Sequence, residues 1–263
     1  MKKYAVIYQA VLMENLQYAV QIMAGYLSYF VFNFICIQLW NAVYETPGSR
    51  ISGYTKEQMI WYVMTTELIL FSAAAAVEAR QVSQDIRRGN IAYQLNKPYE
   101  YPFYMLAKYT GEWSVRLPVF AGFAAAMGVT MAGRLPGFHM ITLAAAVPCI
   151  IAGITIHAIC KLCISLFSFW IEDAEPFQWI YDKLILVTGT IFPIEVFPKW
   201  LQPFLKMTPV YTVCYGPAKL ITDFSMEKYA EILLMQAVYL AAGFGLMFSI
   251  YQKGVKRLYV NGG

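Results

Sequence analysis

The chain has 263 residues, of which 59% are apolar and only 14% charged, with a formal net charge of +4; its mean hydropathy is +0.49. Soluble proteins carry about 25% charged residues, so an ordinary soluble domain, a disordered tail and a disulfide-stapled secreted module are all excluded. What remains is an all-α, polytopic membrane protein, in which six spans of about 20 residues would use roughly half the chain.

Residues 1–16 read as a short amphipathic helix at the membrane interface. Val6, Ile7, Ala10, Val11 and Leu12 share that segment with Lys2, Lys3, Gln9, Glu14 and Asn15. The first span follows at 17–43. It is too long for the core of a cleavable signal peptide and lacks a small-x-small cleavage site. It ends in Trp40 and Tyr44, an interfacial belt. Residues 45–56 are a turn-rich loop, closed by Thr55 as an N-cap with Glu57 in the first helical turn. The second span is expected at 57–77. The longest polar stretch, 78–102, comes next and carries Arg80, Arg87, Arg88 and Lys97. Ile86, Ile91, Tyr93 and Leu95 give it an apolar side, and Gly89 can end a short helix. The third span is expected at 104–133, the GRLPG turn at 133–137 and a long fourth span at 138–169. An acidic connection, 170–176, leads to a fifth span at 177–194.

Residues 190–221 are unusual. Pro193, Pro198, Pro203, Pro209 and Pro217 recur among aromatics, and each interrupts a helix. The stretch is too apolar for an ordinary loop. Broken, re-entrant helices at the outer interface satisfy both facts, provided protein buries the freed backbone groups. A sixth span at 229–251 and a short basic tail complete the chain. With the N-terminus inside, Lys and Arg near the span ends favour the inner side by ten to seven.

Motifs for chemistry are scarce. The sequence has no GxxxxGK[ST] phosphate loop, no HExxH, no GxSxG and no dinucleotide fingerprint. Cys160 and Cys163 form a lone CxxC on an apolar helix, read as packing rather than as a metal or redox site. A membrane enzyme would need a polar cluster around Glu67, His139 or His157, and the linear sequence displays none. Glu67, Glu112, Arg116, Lys161, Asp182 and Lys183 lie in or near spans, where charge is costly and marks candidate sites. Glu112 and Arg116 are four apart and can pair on one helix face, and Lys161 and Lys183 can snorkel to an interface. Glu67 is the most isolated, suited to a polar cavity, an intersubunit contact or an interhelical bond. Small residues at four-residue spacing (Ala121 and Ala125, Ala124 and Gly128, and Ala237, Ala241 and Gly245) suit close helix packing, expected mainly within one subunit.

Two segments resemble a known family. QDIRRGNIAYQLNKP is similar to the cytoplasmic coupling segment of ABC-2 type exporter permeases, in a bacterial subgroup with viologen- and drug-exporter-like members. GTIFPIEVFPKWLQPFLKMTPVYTVCYGPAKLI resembles the late segment of the same group. The resemblance implies one transmembrane domain over residues 1–263, with the interfacial helix at 1–16, the coupling segment at 78–102 and the outer broken-helix segment at 190–221. It implies a non-catalytic permease in the bacterial cytoplasmic membrane, with no cofactor or metal of its own. ATP and Mg would be bound by two P-loop ATPase subunits, and a second permease, identical or related, would complete the assembly among membrane lipids, with no nucleic acid. Asp85, Ile86, Arg87, Arg88, Gly89 and Ile91 would belong to the ATPase-coupling contact. Phe192, Pro193, Phe197, Pro198 and Trp200 would shape the outer gate. The cargo implied is an amphipathic or drug-like small molecule. Alternatives are a lipid or polysaccharide-type cargo, a membrane-embedded transferase, and a non-transporting partner on the same scaffold.

Overall fold

The computed structural model describes residues 2–17, 19–44, 49–73, 76–133, 139–171 and 173–261. Every regular element among them is helical. Helix α1 (Lys2–Gln17) leads to α2 (Ala19–Val43), α3 (Lys56–Ala73) and α4 (Ala76–Arg87). Then come the short α5 (Ile91–Leu95), α6 (Tyr101–Met127), α7 (Met140–Leu166) and α8 (Glu175–Ile185). Two short helices, α9 (Gln202–Lys206) and α10 (Gly216–Thr222), precede the long α11 (Met226–Asn261).

Helix α3 forms the centre. Its start carries a reciprocal capping box: the Gln58 amide donates to Thr55 Oγ1 at 3.3 Å, and the Thr55 amide donates to Gln58 Oε1 at 3.0 Å. The Thr55 cap is thus as the sequence predicts, with Gln58 as its unforeseen partner. From Met59 to Ala73 most side chains are buried, packed between α2, α6, α7 and α10. Tyr29 on α2 donates to the Met64 carbonyl at 3.2 Å. On the other side a Cβ at Gly128 would lie 2.4 Å from the Trp61 ring, so the missing side chain is what seats that indole. A second apolar cluster joins α4, α5, α6, α7 and α11 through Val82, Ile86, Ile91, Met105, Leu162 and Ile250.

The hydrogen bonds define two ends. At one, Lys3 Nζ reaches the Pro98 carbonyl and the Glu100 amide donates to Tyr4 Oη. The first turn of α1, the 78–102 segment and the start of α6 therefore meet. At the other end Trp61 Nε1 donates to the Gly133 carbonyl. From Tyr101 to Ala132 the chain is helical for 32 residues, about 48 Å at 1.5 Å per residue, which separates the two ends by more than a bilayer's hydrocarbon core.

Among the described residues, four helical stretches are long and apolar enough to cross a membrane: Gly25–Val43, Tyr101–Ala132, Met140–Phe169 and Met226–Arg257. The other two expected spans differ for separate reasons. Helix α3 is enclosed by protein, so it can afford Thr65, Thr66 and Glu67 and falls short in apolarity. Helix α8 is short, and its continuation widens into a π-helical turn over Leu186–Ile191. The π turn sets the carbonyls of Gly189 and Thr190 free for Tyr62 Oη at 2.6 Å and Thr66 Oγ1 at 3.3 Å.

The 190–221 segment is a chain of short pieces, as its prolines require. Pro193 precedes a 3₁₀ turn, and Pro203 and Pro217 stand in the first turns of α9 and α10. A π-helical turn at Tyr211–Tyr215 lies directly on α7, where a Cβ at Gly153 would sit 2.7 Å from the Val213 carbonyl. The small residues behave differently in the two helices. In α6 and the turn after it Ala124 and Gly128 pack inside the subunit as expected, with Ala121 half-buried and Ala125 exposed, whereas Ala237, Ala241 and Gly245 of α11 are all exposed. The GRLPG turn from residue 134 and most of the 45–56 loop's first half lie outside the described residues.

Candidate functional site

Three places collect the polar groups, one at each end and one within the bundle. At the first end, α4 stops at Gly89, whose φ of +74° suits a residue without a side chain. The corner Arg87–Arg88–Gly89–Asn90 is exposed, and Tyr93 beyond it is 71% exposed. Beneath the corner, Ile86 and Ile91 are buried in the chain's own core. Asp85 accepts a hydrogen bond from Tyr101 Oη at 2.8 Å. The six residues expected to couple to an ATPase thus split in function: Asp85, Ile86 and Ile91 hold the segment, while Arg87, Arg88 and Gly89 present it.

The acidic connection comes to the same place. Arg80 Nε lies 3.9 Å from Glu175 Oε1, and Arg87 Nη1 lies 3.8 Å from Asp173 Oδ1. All four side chains are about half exposed, so each pair contributes at most about 1 kcal/mol. Sequence alone gave no reason to join residues 80–87 to 173–175; only the packing of α4 on α7 does so.

Within the bundle, Glu67, Arg116, His157, Lys161, Asp182 and Lys183 line one cavity of about 410 Å³. The expectation that no polar cluster forms around Glu67 or His157 is therefore corrected: α3, α6, α7 and α8 each contribute one or two of the groups. Lys161 does not snorkel. It is 2% exposed, and its ammonium donates to both Asp182 oxygens at 2.7 and 2.8 Å. Gln178 closes the ring from below, donating to the Lys161 carbonyl and to Ser165 Oγ. His157 Nδ1 stands 3.2 Å from Tyr181 Oη. Glu67 Oε1 and Arg116 Nε are buried without a hydrogen-bond partner among the described residues. No group of His, Cys, Asp and Glu suited to a metal occurs among the described residues, and Cys160 and Cys163 are free thiols. His139 stands at the N-terminal end of α7 without a side-chain capping bond, about five turns of helix before His157.

At the other end a carboxylate that sequence reading missed organises the broken segment. Glu195 accepts from Tyr215 Oη at 2.7 Å and from Tyr54 Oη at 3.2 Å, and pairs with Lys219 Nζ at 3.1 Å. Lys219 also donates to Tyr54 Oη at 2.9 Å, over whose ring it lies. Burial, with Tyr215 and Glu195 alongside, pushes the Tyr54 hydroxyl far above its usual range, so it stays a donor. Asp223 continues the chain, bridging Lys219 at 3.4 Å and Lys228 at 2.6 Å. Burial alone would raise the Asp223 carboxyl, but the Lys228 bond and the Lys219 charge win and lower it. The five residues expected to shape an outer gate differ in burial. Phe192 stands edge-on to both Trp40 and Phe197, Pro193 is buried, Pro198 is exposed and Trp200 is 70% exposed.

The fold is that of a multi-pass helical membrane protein, with a charged corner at one end and a broken-helix cap at the other. The sequence model of one family, ABC-2 family transporter protein, matches residues 27–262. The chain belongs to that family. A search of curated proteins found no match.

Proposed function

We propose that this chain is the permease subunit of an ATP-driven exporter of the bacterial cytoplasmic membrane. It would cross the bilayer six times and carry no catalytic centre. The observation that bears most weight is the exposed Arg87–Arg88–Gly89 corner. It is seated on buried Ile86 and Ile91 and sits beside the acidic Asp173–Glu175 connection, on a chain of the ABC-2 transporter family. A rigid, charged corner projecting from a bundle suits a groove on a separate P-loop ATPase. Two such ATPases, holding ATP and Mg, would work with this permease and a second one, identical or related. Six crossings accommodate the alternation of ends along the chain: α3 would cross within protein, whereas the stretch from α8 to residue 191, with Phe177, Trp179, Ile180, Leu184 and Val187 exposed, would cross with one face toward lipid or a second permease.

In operation, ATP binding closes the ATPases, and the corner carries that motion through α4 into α7. ATP can shift the permease only by binding one state more tightly than the other. At the far end, the ring of Phe192, Pro193, Phe197, Pro198 and Trp200 around Glu195 forms the outer gate. The cargo is an amphipathic or drug-like small molecule, in keeping with the viologen- and drug-exporter-like subgroup.

The test is the double variant Arg87→Glu with Arg88→Glu in the reconstituted assembly. It should insert normally, yet ATP hydrolysis should no longer drive transport. Transport at the normal rate would refute the docking assignment. Purification from the native membrane in mild detergent should bring along a P-loop ATPase near stoichiometry. A chain that purifies alone under several mild conditions would overturn the reading.

A further inference from the structure

The cavity of about 410 Å³ lies in the size range of small-molecule sites, and its charges can be accounted for one by one. Two carboxyl groups, three cationic side chains and His157, which meets Tyr181 Oη, line it. Lys161 and Asp182 satisfy each other through two short bonds. Lys183 is exposed and lies 5.7 Å over the Trp179 ring. That leaves Glu67 and Arg116, one of each sign.

Both are incompletely satisfied. Glu67 is 3% exposed, and its Oε1 has no hydrogen-bond partner among the described residues. Arg116 Nε is likewise buried and unpartnered. The two side chains line the same cavity yet form no ion pair within 4.0 Å. Glu67 is the buried group of the two; Arg116 is half-buried, with its Nε enclosed, and a buried polar group without a partner is costly, so such groups are kept where something else pairs with them. A simple cation would meet Glu67 but be repelled by Arg116. A simple anion would meet Arg116 but leave Glu67 alone. Phe32, Leu70, Phe71 and Leu186 supply apolar wall between the charges.

We infer that this cavity binds an amphipathic zwitterion, with its ammonium on Glu67, its acid group on Arg116 and its apolar body against Phe32 and Phe71. This names the chemical class of the cargo and so rests on the permease reading above. The same chemistry occurs in a bilayer lipid with an ethanolamine headgroup and in a soluble zwitterionic small molecule.

The test uses the full chain alone, in the non-ionic detergent dodecyl maltoside, with protein-free micelles as the blank. Three labelled probes share one tail: N-dodecylglycine (zwitterion), dodecylamine (cation) and dodecanoate (anion). N-dodecylglycine should bind about ten-fold more tightly than either of the others. Glu67→Gln should remove that preference over dodecanoate, and Arg116→Gln should remove it over dodecylamine. Wild-type elution and unfolding midpoint serve as the folding check for each variant. Equal binding of the three probes overturns the inference. So does undiminished zwitterion preference in both variants, or, should either variant misfold, in Phe71→Asp. Competition by lysophosphatidylethanolamine assigns the site to a lipid, and its failure to compete assigns it to a soluble molecule. Since no ATPase is present, selective binding without transport by the complete assembly would sink the permease reading and leave the site standing.

Discussion

The two ends of the bundle are held by opposite means. At the end carrying α4 and α5, the polar corner floats on apolar burial: Val82 and Ile91 are fully enclosed, while the ion pairs above them are long and exposed. At the other end the broken segment is tied by short, partly buried bonds that converge on Glu195. The contrast follows from what each backbone offers. A helix such as α4 satisfies its own amides, so it needs only an apolar underside. A segment cut by five prolines cannot, and side chains must fasten it. The first arrangement leaves charged groups available to an outside partner. The second spends them internally.

If that division is right, the largest loss comes from the buried underside. Ile91→Ala should cost about 3 kcal/mol in chemical unfolding in detergent, with amide exchange rising first over residues 84–98. A loss below about 0.5 kcal/mol would show that the corner is not held by burial. Next, Glu195→Gln keeps the shape but removes the charge that receives Lys219 and two phenols, at about 1–2 kcal/mol. Proteolysis should then quicken within 193–209; unchanged protection would mean the prolines alone fix the cap.

A smaller effect sharpens the contrast. Asp173→Asn with Glu175→Gln should change stability by less than about 1 kcal/mol, an effect that vanishes at high salt. A larger, salt-independent loss would make the acidic connection structural. The smallest signal is a pH effect. The Asp223 carboxyl is lowered in the fold, so its contribution is complete above the ordinary value of 3.8 and lost as pH falls through the folded value. The stability gap between wild type and Asp223→Asn should therefore be constant above that point and close below it. A gap that persists at the acid limit would refute the Lys219 and Lys228 pairing as its source.

Much of this was legible in the chain. Low charge and long apolar runs dictate helices in a membrane, because only there are backbone groups satisfied internally. Thr55 marks the start of α3, Gly89 the end of α4, and the prolines the breaks after residue 192, since each acts on its own backbone. The exposed Arg87–Arg88 corner was legible for the same local reason. Ile86 and Ile91 were not read as core, because the apolar partners that bury them come from α7 and α11.

What only the tertiary structure decided is which distant groups meet. Lys161 and Asp182, Glu195 and Lys219, and Arg87 and Asp173 join across helices whose relative rotation no local signal encodes. Glu67 looked solitary on one line of text and became one wall of a charged cavity once α3, α6, α7 and α8 were packed. Sequence sets the period and the ends of each helix, because hydrogen bonds and caps are local. It leaves their mutual rotation to the packing of whole surfaces, and the sites of this protein lie between those surfaces.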